Sequence, residues 1–225
     1  MAERTQQENA ARRPSTNGKT AAEPGTPADG AAVSWDGQQW KHAMAAASTW
    51  LNRHSAAINA LNVFPVPDGD TGTNMSLTMQ AAYKMVADSP AHSVAEIAGA
   101  MSHGALMGAR GNSGVILSQV FRGFSKGLKG SPQLTAQNFT EALRESAAMA
   151  YQAVLKPVEG TMLTVIREMA EGAEAAVATQ PDLRFVLEQT LEAGRRSVAR
   201  TPDLLDKLRD AVRCRRLSLP FDVPA

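Results

Sequence analysis

The chain is poor in cysteine, in aromatic residues and in excess charge of either sign. Its 225 residues include one cysteine, Cys214, and 5% of them are aromatic. A single cysteine excludes an internal disulfide and a cysteine-rich zinc site. The formal net charge of +1 lacks the basic excess of a general nucleic-acid binder. Because no apolar run could cross a bilayer and no apolar signal core opens the chain, a cytoplasmic protein is expected.

Hydrophobic residues make up 44% of the chain, which is enough for one sizeable core. Residues 1–33 are rich in Ala, Gly, Pro, Thr and Glu without apolar periodicity, and they predict a disordered tail. A single domain is expected over residues 34–212. An atypical tail is expected over residues 213–225.

Apolar residues recur at helical spacing from about Asp36 onward. Asp36 and Gln39 fit a capping box at the start of the first helix. Thr201 and Pro202 predict an N-cap and first position for an eighth helix, which should fray after about Val212. No run shows the alternation of a strand, and the loops are short. The sequence therefore predicts an all-α antiparallel barrel or bundle of about eight helices.

The segment 62–74 reads Asn-Val-Phe-Pro-Val-Pro-Asp-Gly-Asp-Thr-Gly-Thr-Asn and is called the first loop here. Its prolines predict an extended chain in which Asp68 and Asp70 face the same way and address one cation or a close pair. Such hard oxygen ligands suit Mg²⁺. An EF-hand is excluded, because its glycine and glutamate positions, counted from Asp68, hold Thr73 and Met79.

The end of the first loop predicts the start of a helix. Thr71, Thr73 and Asn74 are expected to cap that helix, whose N-terminus favours an anion. Metal on the carboxylates and phosphate at the helix start would form one site. The alternative is an Asp/Gly turn with a capping threonine.

The second loop, residues 108–114, reads Gly-Ala-Arg-Gly-Asn-Ser-Gly before an apolar helix. It lacks the Gly-Lys-Ser/Thr ending of a Walker A motif. It offers backbone N–H groups and a hydroxyl to phosphate, or it forms a flexible corner between helices. Arg110 either meets a phosphate or lies in water. The residues expected to bind the nucleotide here are Gly111, Asn112, Ser113 and Gly114.

The third loop, residues 156–162, reads Lys-Pro-Val-Glu-Gly-Thr-Met and precedes another predicted helix. It is a further helix-start site or an ordinary loop with a threonine cap. The three loops join helices 1 and 2, 3 and 4, and 5 and 6. Alternate connections of an up-and-down bundle emerge at the same end, so the loops should gather on one rim and form a nucleotide site there.

The segments 61–75, 108–119 and 156–162 resemble the DAK2 (DhaL-like) domain, and most closely the N-terminal kinase domain of the bacterial fatty acid kinase ATP-binding subunit. The resemblance covers about residues 36–208. It implies an eight-helix barrel that binds ATP or ADP with Mg²⁺, as two ions. The implied activity is phosphorylation of a fatty acid, held by a DegV-like protein, to an acyl phosphate. The alternatives are a dihydroxyacetone (glycerone) kinase subunit and a non-catalytic nucleotide-binding module.

The resemblance also implies roles for particular residues. The related dihydroxyacetone kinase subunit uses three aspartates, and Asp68 and Asp70 take two of those places. Asn62 is the nearest residue to the third place, at a different spacing. The other matches are to segments that contact phosphate or line the nucleotide: Ser113, Gly114, Thr161 and Met162.

Family members usually continue after the Thr-Pro-Asp-Leu-Leu segment with Gly-Val-Val-Asp-Ala-Gly-Gly and further domains. Residues 211–225 of this chain differ from that pattern, as a basic tail or as the product of a shifted reading frame. Weaker nucleotide binding and lower kinase activity than in a full-length relative are expected. The partners that the resemblance implies are a DegV-like carrier and a second copy of the chain, without nucleic acid.

Overall fold

The computed structural model describes residues 33–215, with side chains to Ala211. The predicted tail at 1–33, except for its last residue, and residues 216–225 of the predicted C-terminal tail lie outside the described residues. Within 33–215 the elements are all helical apart from an isolated bridge between Trp35 and Leu134, which confirms the all-α prediction. The helices are α1 (Gly37–Leu61), α2 (Thr71–Lys84), α3 (Val94–Met107), α4 (Gly111–Gly127), α5 (Ala136–Gln152), α6 (Met162–Thr179), α7 (Leu183–Leu204) and α8 (Asp206–Arg215).

Local capping signals define several helix starts. Asp36 accepts from the Gln39 N–H at 2.8 Å, and the Gln39 side chain accepts from the Asp36 N–H at 2.9 Å. This reciprocal pair is the predicted capping box of α1. Thr135 and Asn138 form the same arrangement at α5. None of these helices, within the described range, is long and apolar enough to cross a membrane.

The core is built where consecutive helices pack against each other. Trp40 of α1 stacks on Phe124 of α4 with ring centroids 4.9 Å apart, and Phe124 meets Phe139 of α5 edge-on at 6.1 Å. Close approach of α4 and α5 requires glycine, because a Cβ on Gly123 would lie 2.4 Å from the backbone of Ser146. These contacts pack α1, α4 and α5 together at the ends of α1 and α4 that lie away from the three loops.

The predicted helix start at Thr201 and Pro202 is wrong. Both residues lie inside the last turn of α7, and the chain breaks at Leu205 instead. Pro202 has no N–H to donate to the carbonyl of Val198. The Thr201 hydroxyl donates to that carbonyl at 2.8 Å and replaces the missing bond. The last helix then runs to Arg215, beyond the end predicted near residue 212.

Candidate nucleotide and metal site

The two predicted metal-binding carboxylates lie between α1 and α2. Asp68 is exposed, Asp70 is half-buried, and the Asn62 amide Nδ2 donates to Asp68 Oδ1 at 2.6 Å. The predicted extended chain between the aspartates is wrong. Gly69 takes a left-handed φ of 69°, and Asp70 already has helical dihedrals as the N-cap of α2.

The oxygen atoms present in the first loop fit a hard cation. The side-chain Oδ1 of Asn62 is buried and has no hydrogen-bond partner among the described residues. A buried oxygen without a partner is unfavourable unless a ligand or water completes it. Within 33–215 no group of three His, Cys, Asp or Glu residues could hold a metal. Two carboxylates and an amide oxygen therefore suit a Mg²⁺ ion that keeps waters and shares substrate phosphates, rather than an all-protein cage.

The cap of α2 comes from a residue that sequence reasoning missed. Asn59 Oδ1, from the last turns of α1, accepts from the N–H groups of Gly72 at 2.7 Å and Thr73 at 3.1 Å. The same amide donates to the Thr73 hydroxyl at 2.9 Å. The prediction that Thr71, Thr73 and Asn74 cap α2 is therefore wrong. Because Asn59 takes two of the free N–H groups, α2 offers an anion fewer donors than expected.

The backbone N–H groups in the first turn of α4 are not capped by the N-cap side chain. The N-cap residue Arg110 makes no side-chain cap bond, so the first N–H groups of α4 lack such a partner. A helix N-terminus of this kind binds phosphate through its N–H groups and its dipole. Gly111, Asn112 and Ser113 form this first turn and lie in helix rather than in loop. Of the two helix starts at the rim, α4 offers more uncapped N–H donors than α2.

The first and second loops lie against each other, as predicted. The Ser113 hydroxyl donates to the Thr71 carbonyl at 3.5 Å. Gly111 has a φ of 55°, and a Cβ there would lie 2.3 Å from the Asn74 amide nitrogen. A Cβ on Gly114 would lie 2.4 Å from the Thr78 hydroxyl. The glycines thus allow the start of α4 to approach α2 closely.

The third loop caps α6. The Thr161 hydroxyl accepts from the Leu163 N–H at 3.3 Å and donates to the Val158 carbonyl at 2.8 Å. The preceding Gly160 is buried with a φ of 78°. Of the two alternatives stated for this loop, the structure shows the threonine cap. Its hydroxyl is occupied by the backbone, so Thr161 can offer a ligand little beyond its methyl group and peptide.

A cavity of about 440 Å³ lies beside these loops. Four predicted site residues line it, namely Asn62, Thr71, Thr161 and Met162. Its other walls are mainly apolar: Ile58, Leu61, Val63, Phe64, Met75, Ile116, Leu117, Val120, Val165, Ile166, Met169, Val198, Leu205 and Leu208. Apolar walls do not compensate the burial of a triphosphate. A group as highly charged as a triphosphate would therefore fit the polar edge of the loops rather than the cavity.

The remaining predicted residues lie away from the cavity. Thr73, Asn74 and the Gly111–Gly114 turn do not line it and form the rim where α2 meets α4. Lys207, which sequence reasoning missed, reaches this end of the fold from α8. Its Nζ donates to the Pro65 carbonyl at 3.4 Å and lies 5.6 Å from the centre of the Phe64 ring. These contacts place α8 against the first loop.

Comparison with known proteins agrees with this geometry. The DAK2 domain family matches residues 65–221. The protein YloV of Bacillus subtilis is 43% identical over 175 residues, which cover 78% of this chain and 32% of that protein. An uncharacterized protein of Staphylococcus saprophyticus is 44% identical over 160 residues, which cover 71% of this chain and 29% of that protein. This chain thus spans about a third of the length of these relatives.

The family match includes more than half of the chain, with the second and third loops and the first loop from Pro65 onward. The carboxylates of the first loop, the uncapped start of α4 and the helices from α2 to α8 lie within the matched range. The chain therefore belongs to the DAK2 domain family, which is a kinase-related family of nucleotide-binding modules.

Proposed function

We propose that this chain is an ATP- and Mg²⁺-dependent phosphotransferase domain whose acceptor is a fatty acid held by a separate DegV-like carrier protein. The product is an acyl phosphate. The observation that carries the proposal is the contact between the first and second loops. At this contact Ser113, in the uncapped first turn of α4, touches Thr71, which directly follows Asp70.

In this proposal the chain supplies positioning and charge neutralisation. Asp68, Asp70 and the Asn62 oxygen hold Mg²⁺, which when bound offsets the charge of the phosphates. The N–H groups of Gly111, Asn112 and Ser113 orient a phosphate at the helix N-terminus. No side chain acts as a covalent nucleophile. The acyl carboxylate oxygen forms the bond to the γ-phosphorus as the bond from that phosphorus to ADP breaks.

The chemistry of the acceptor favours an acid over an alcohol. A fatty acid is already ionised at neutral pH, so its carboxylate needs no general base. The hydroxyl of dihydroxyacetone must lose a proton during transfer. The loops offer carboxylates, amides, hydroxyls and backbone N–H groups, which suit binding and orientation. Dihydroxyacetone kinase activity is nevertheless the alternative, because membership of a kinase-related family does not specify the acceptor.

The test is a transfer assay with the purified chain, ATP and Mg²⁺. One reaction contains a DegV-like carrier loaded with fatty acid, and a parallel reaction contains dihydroxyacetone. Acyl phosphate is trapped with hydroxylamine as the hydroxamate, and ADP is measured in both reactions. Hydroxamate that requires the carrier supports the proposal. ADP formation with dihydroxyacetone alone supports the alternative, and nucleotide binding without turnover identifies a non-catalytic module.

A further inference from the structure

A group of polar side chains surrounds the third loop. The group comprises Tyr151 of α5, Glu159 of the loop, and Thr164 and Arg167 of α6, and is called the Glu159 cluster. Glu159 Oε1 accepts from the Tyr151 hydroxyl at 2.9 Å. Glu159 Oε2 accepts from the Thr164 hydroxyl at 2.7 Å and from Arg167 Nη2 at 2.9 Å. Arg167 Nε also donates to the Tyr151 oxygen at 3.2 Å. Both carboxylate oxygens of Glu159 are thereby held.

The directions of the pKa shifts in the cluster agree with these hydrogen bonds. The hydrogen bond from Thr164, with those from Tyr151 and Arg167, lowers the pKa of Glu159 below its usual value. Burial raises the pKa of Tyr151, so its phenol keeps the proton that it donates. The bond to Tyr151 raises the pKa of Arg167 further. At neutral pH the carboxylate therefore accepts only, and the Thr164 proton points to it.

Thr164 connects the cluster to the loop backbone. Because its proton goes to Glu159, its oxygen is free to accept the Gly160 N–H, at 2.8 Å. Gly160 also has no room for a side chain, since a Cβ there would lie 2.8 Å from Leu205 Cβ and 3.0 Å from the Thr201 carbonyl. The peptide of Gly160 is thus held between Thr164 and the junction of α7 and α8. The next residues, Thr161 and Met162, line the cavity.

We propose that Glu159 is a positioning residue that acts through Thr164 and Gly160 to fix Thr161 and Met162 for nucleotide binding. This inference rests on the proposed function. The side chains of Glu159 and Arg167 are 50% and 39% exposed. Ion pairs this exposed contribute little to global stability. The main effect of losing Glu159 is therefore a local displacement of the loop, with the rest of the fold unchanged.

The first measurement needs no nucleotide. Amide hydrogen exchange at residues 160–162 is compared in the whole chain for wild type, Glu159→Ala, Thr164→Val and Thr164→Ser. Loss of a hydrogen bond worth about 1.4 kcal/mol speeds local exchange about tenfold. We expect this in Glu159→Ala and Thr164→Val, whereas the serine keeps the hydroxyl and the wild-type rate. Glu171→Gln is the matched control, because Glu171 also binds Arg167, at 3.0 Å, without touching the loop.

The second measurement is calorimetric binding of ATP with Mg²⁺ to the same variants. Glu159→Ala and Thr164→Val should raise Kd about tenfold, while Thr164→Ser and Glu171→Gln stay within about twofold. The melting temperature of Glu159→Ala should match that of Glu171→Gln. Exchange and affinity in Glu159→Ala equal to the control would overturn the inference. Wild-type protein that does not bind ATP would instead refute the proposed function, and hydrogen exchange would still decide whether Glu159 positions the loop.

Discussion

The hydroxyl of Ser113 lies 3.5 Å from the carbonyl oxygen of Thr71, 42 positions earlier in the chain. This contact joins the first turn of α4 to the first turn of α2. The distance is long for a hydroxyl donor, so the bond itself is weak. The hydroxyl can turn to a ligand at the same point without loss of a strong contact.

Ser113→Ala should therefore affect ligand binding more than folding. We expect a change in unfolding free energy below about 0.5 kcal/mol, and a several-fold weaker affinity for ATP with Mg²⁺. The measurements are urea unfolding and calorimetric titration. Ser125→Ala, on the opposite end of α4, is the control and should leave affinity unchanged. Equal affinities of the two variants would exclude the Ser113 hydroxyl from the site.

Removal of either carboxylate of the first loop should abolish the stabilisation of the protein by ATP with Mg²⁺. Asp68→Asn and Asp70→Asn should keep the helix content of wild type, because neither side chain is buried in the core. In wild type, ATP with Mg²⁺ raises the melting temperature by mass action, and in both variants that increase should disappear. Asp88→Asn, which changes an exposed aspartate after α2, is the matched control. An unchanged Mg²⁺-dependent shift in both loop variants would refute the metal assignment.

The cap that Asn59 provides to α2 predicts a stability effect. Asn59→Ala leaves the N–H groups of Gly72 and Thr73 without their acceptor. Loss of a helix cap lowers the free energy of unfolding by about 1–2 kcal/mol. Asn59→Asp keeps a carboxylate oxygen for both N–H groups and should restore most of the loss. Chemical denaturation of the three proteins measures this, and an alanine variant as stable as wild type would contradict the capping role.

Glu141 gives a dependence of stability on pH. Its hydrogen bonds to Arg144 and then Lys129 lower the pKa of Glu141 from 4.5 to about 2. The pKa of Glu141 is lower in the folded than in the unfolded protein. The ionised Glu141 side chain therefore stabilises the fold above about pH 4.5, and this stabilisation is lost as pH falls towards 2. At pH 7, Glu141→Gln should lower the free energy of unfolding by about 1 kcal/mol or less, since Glu141 and its two basic partners are partly exposed.

The test for Glu141 is denaturant unfolding of wild type and Glu141→Gln across the acid range. The difference between the two should shrink steadily below about pH 4.5. If the difference in unfolding free energy between the two proteins stayed constant down to pH 3, the charge of Glu141 would not contribute to stability. Lys129 and Arg144 bind the same carboxylate, so Lys129→Met should reduce the pH-dependent part without removing it.

Local signals in the sequence predicted the helices and several of their starts. The capping pair of Asp36 and Gln39 depends on residues three positions apart, so its chemistry is visible in the sequence. The role of Asn59 depends on how α1 packs beside α2, which no local pattern encodes. The misplaced start at Thr201 has a different origin, because a local hydroxyl bond to Val198 allows proline inside α7.

The site was predictable to a similar degree. Asp68, Asp70 and Ser113 were predicted as neighbours, since alternate connections of a helical bundle meet at one end. The prediction of an extended backbone at the aspartates was wrong because Gly69 takes a left-handed conformation, which glycine alone adopts without penalty. The Glu159 cluster was not predicted, since it joins Tyr151 of α5 to Arg167 of α6 through tertiary packing.

The proposed function requires that the rim formed by the first and second loops binds ATP together with Mg²⁺. The most direct measurement is calorimetric titration of ATP into the whole chain, with Mg²⁺ and with EDTA, repeated on Asp68→Asn and Asp70→Asn. We expect saturable binding of one nucleotide that requires Mg²⁺ and is lost in both variants. Absence of binding in wild type, or binding that persists in EDTA and in both variants, would contradict it.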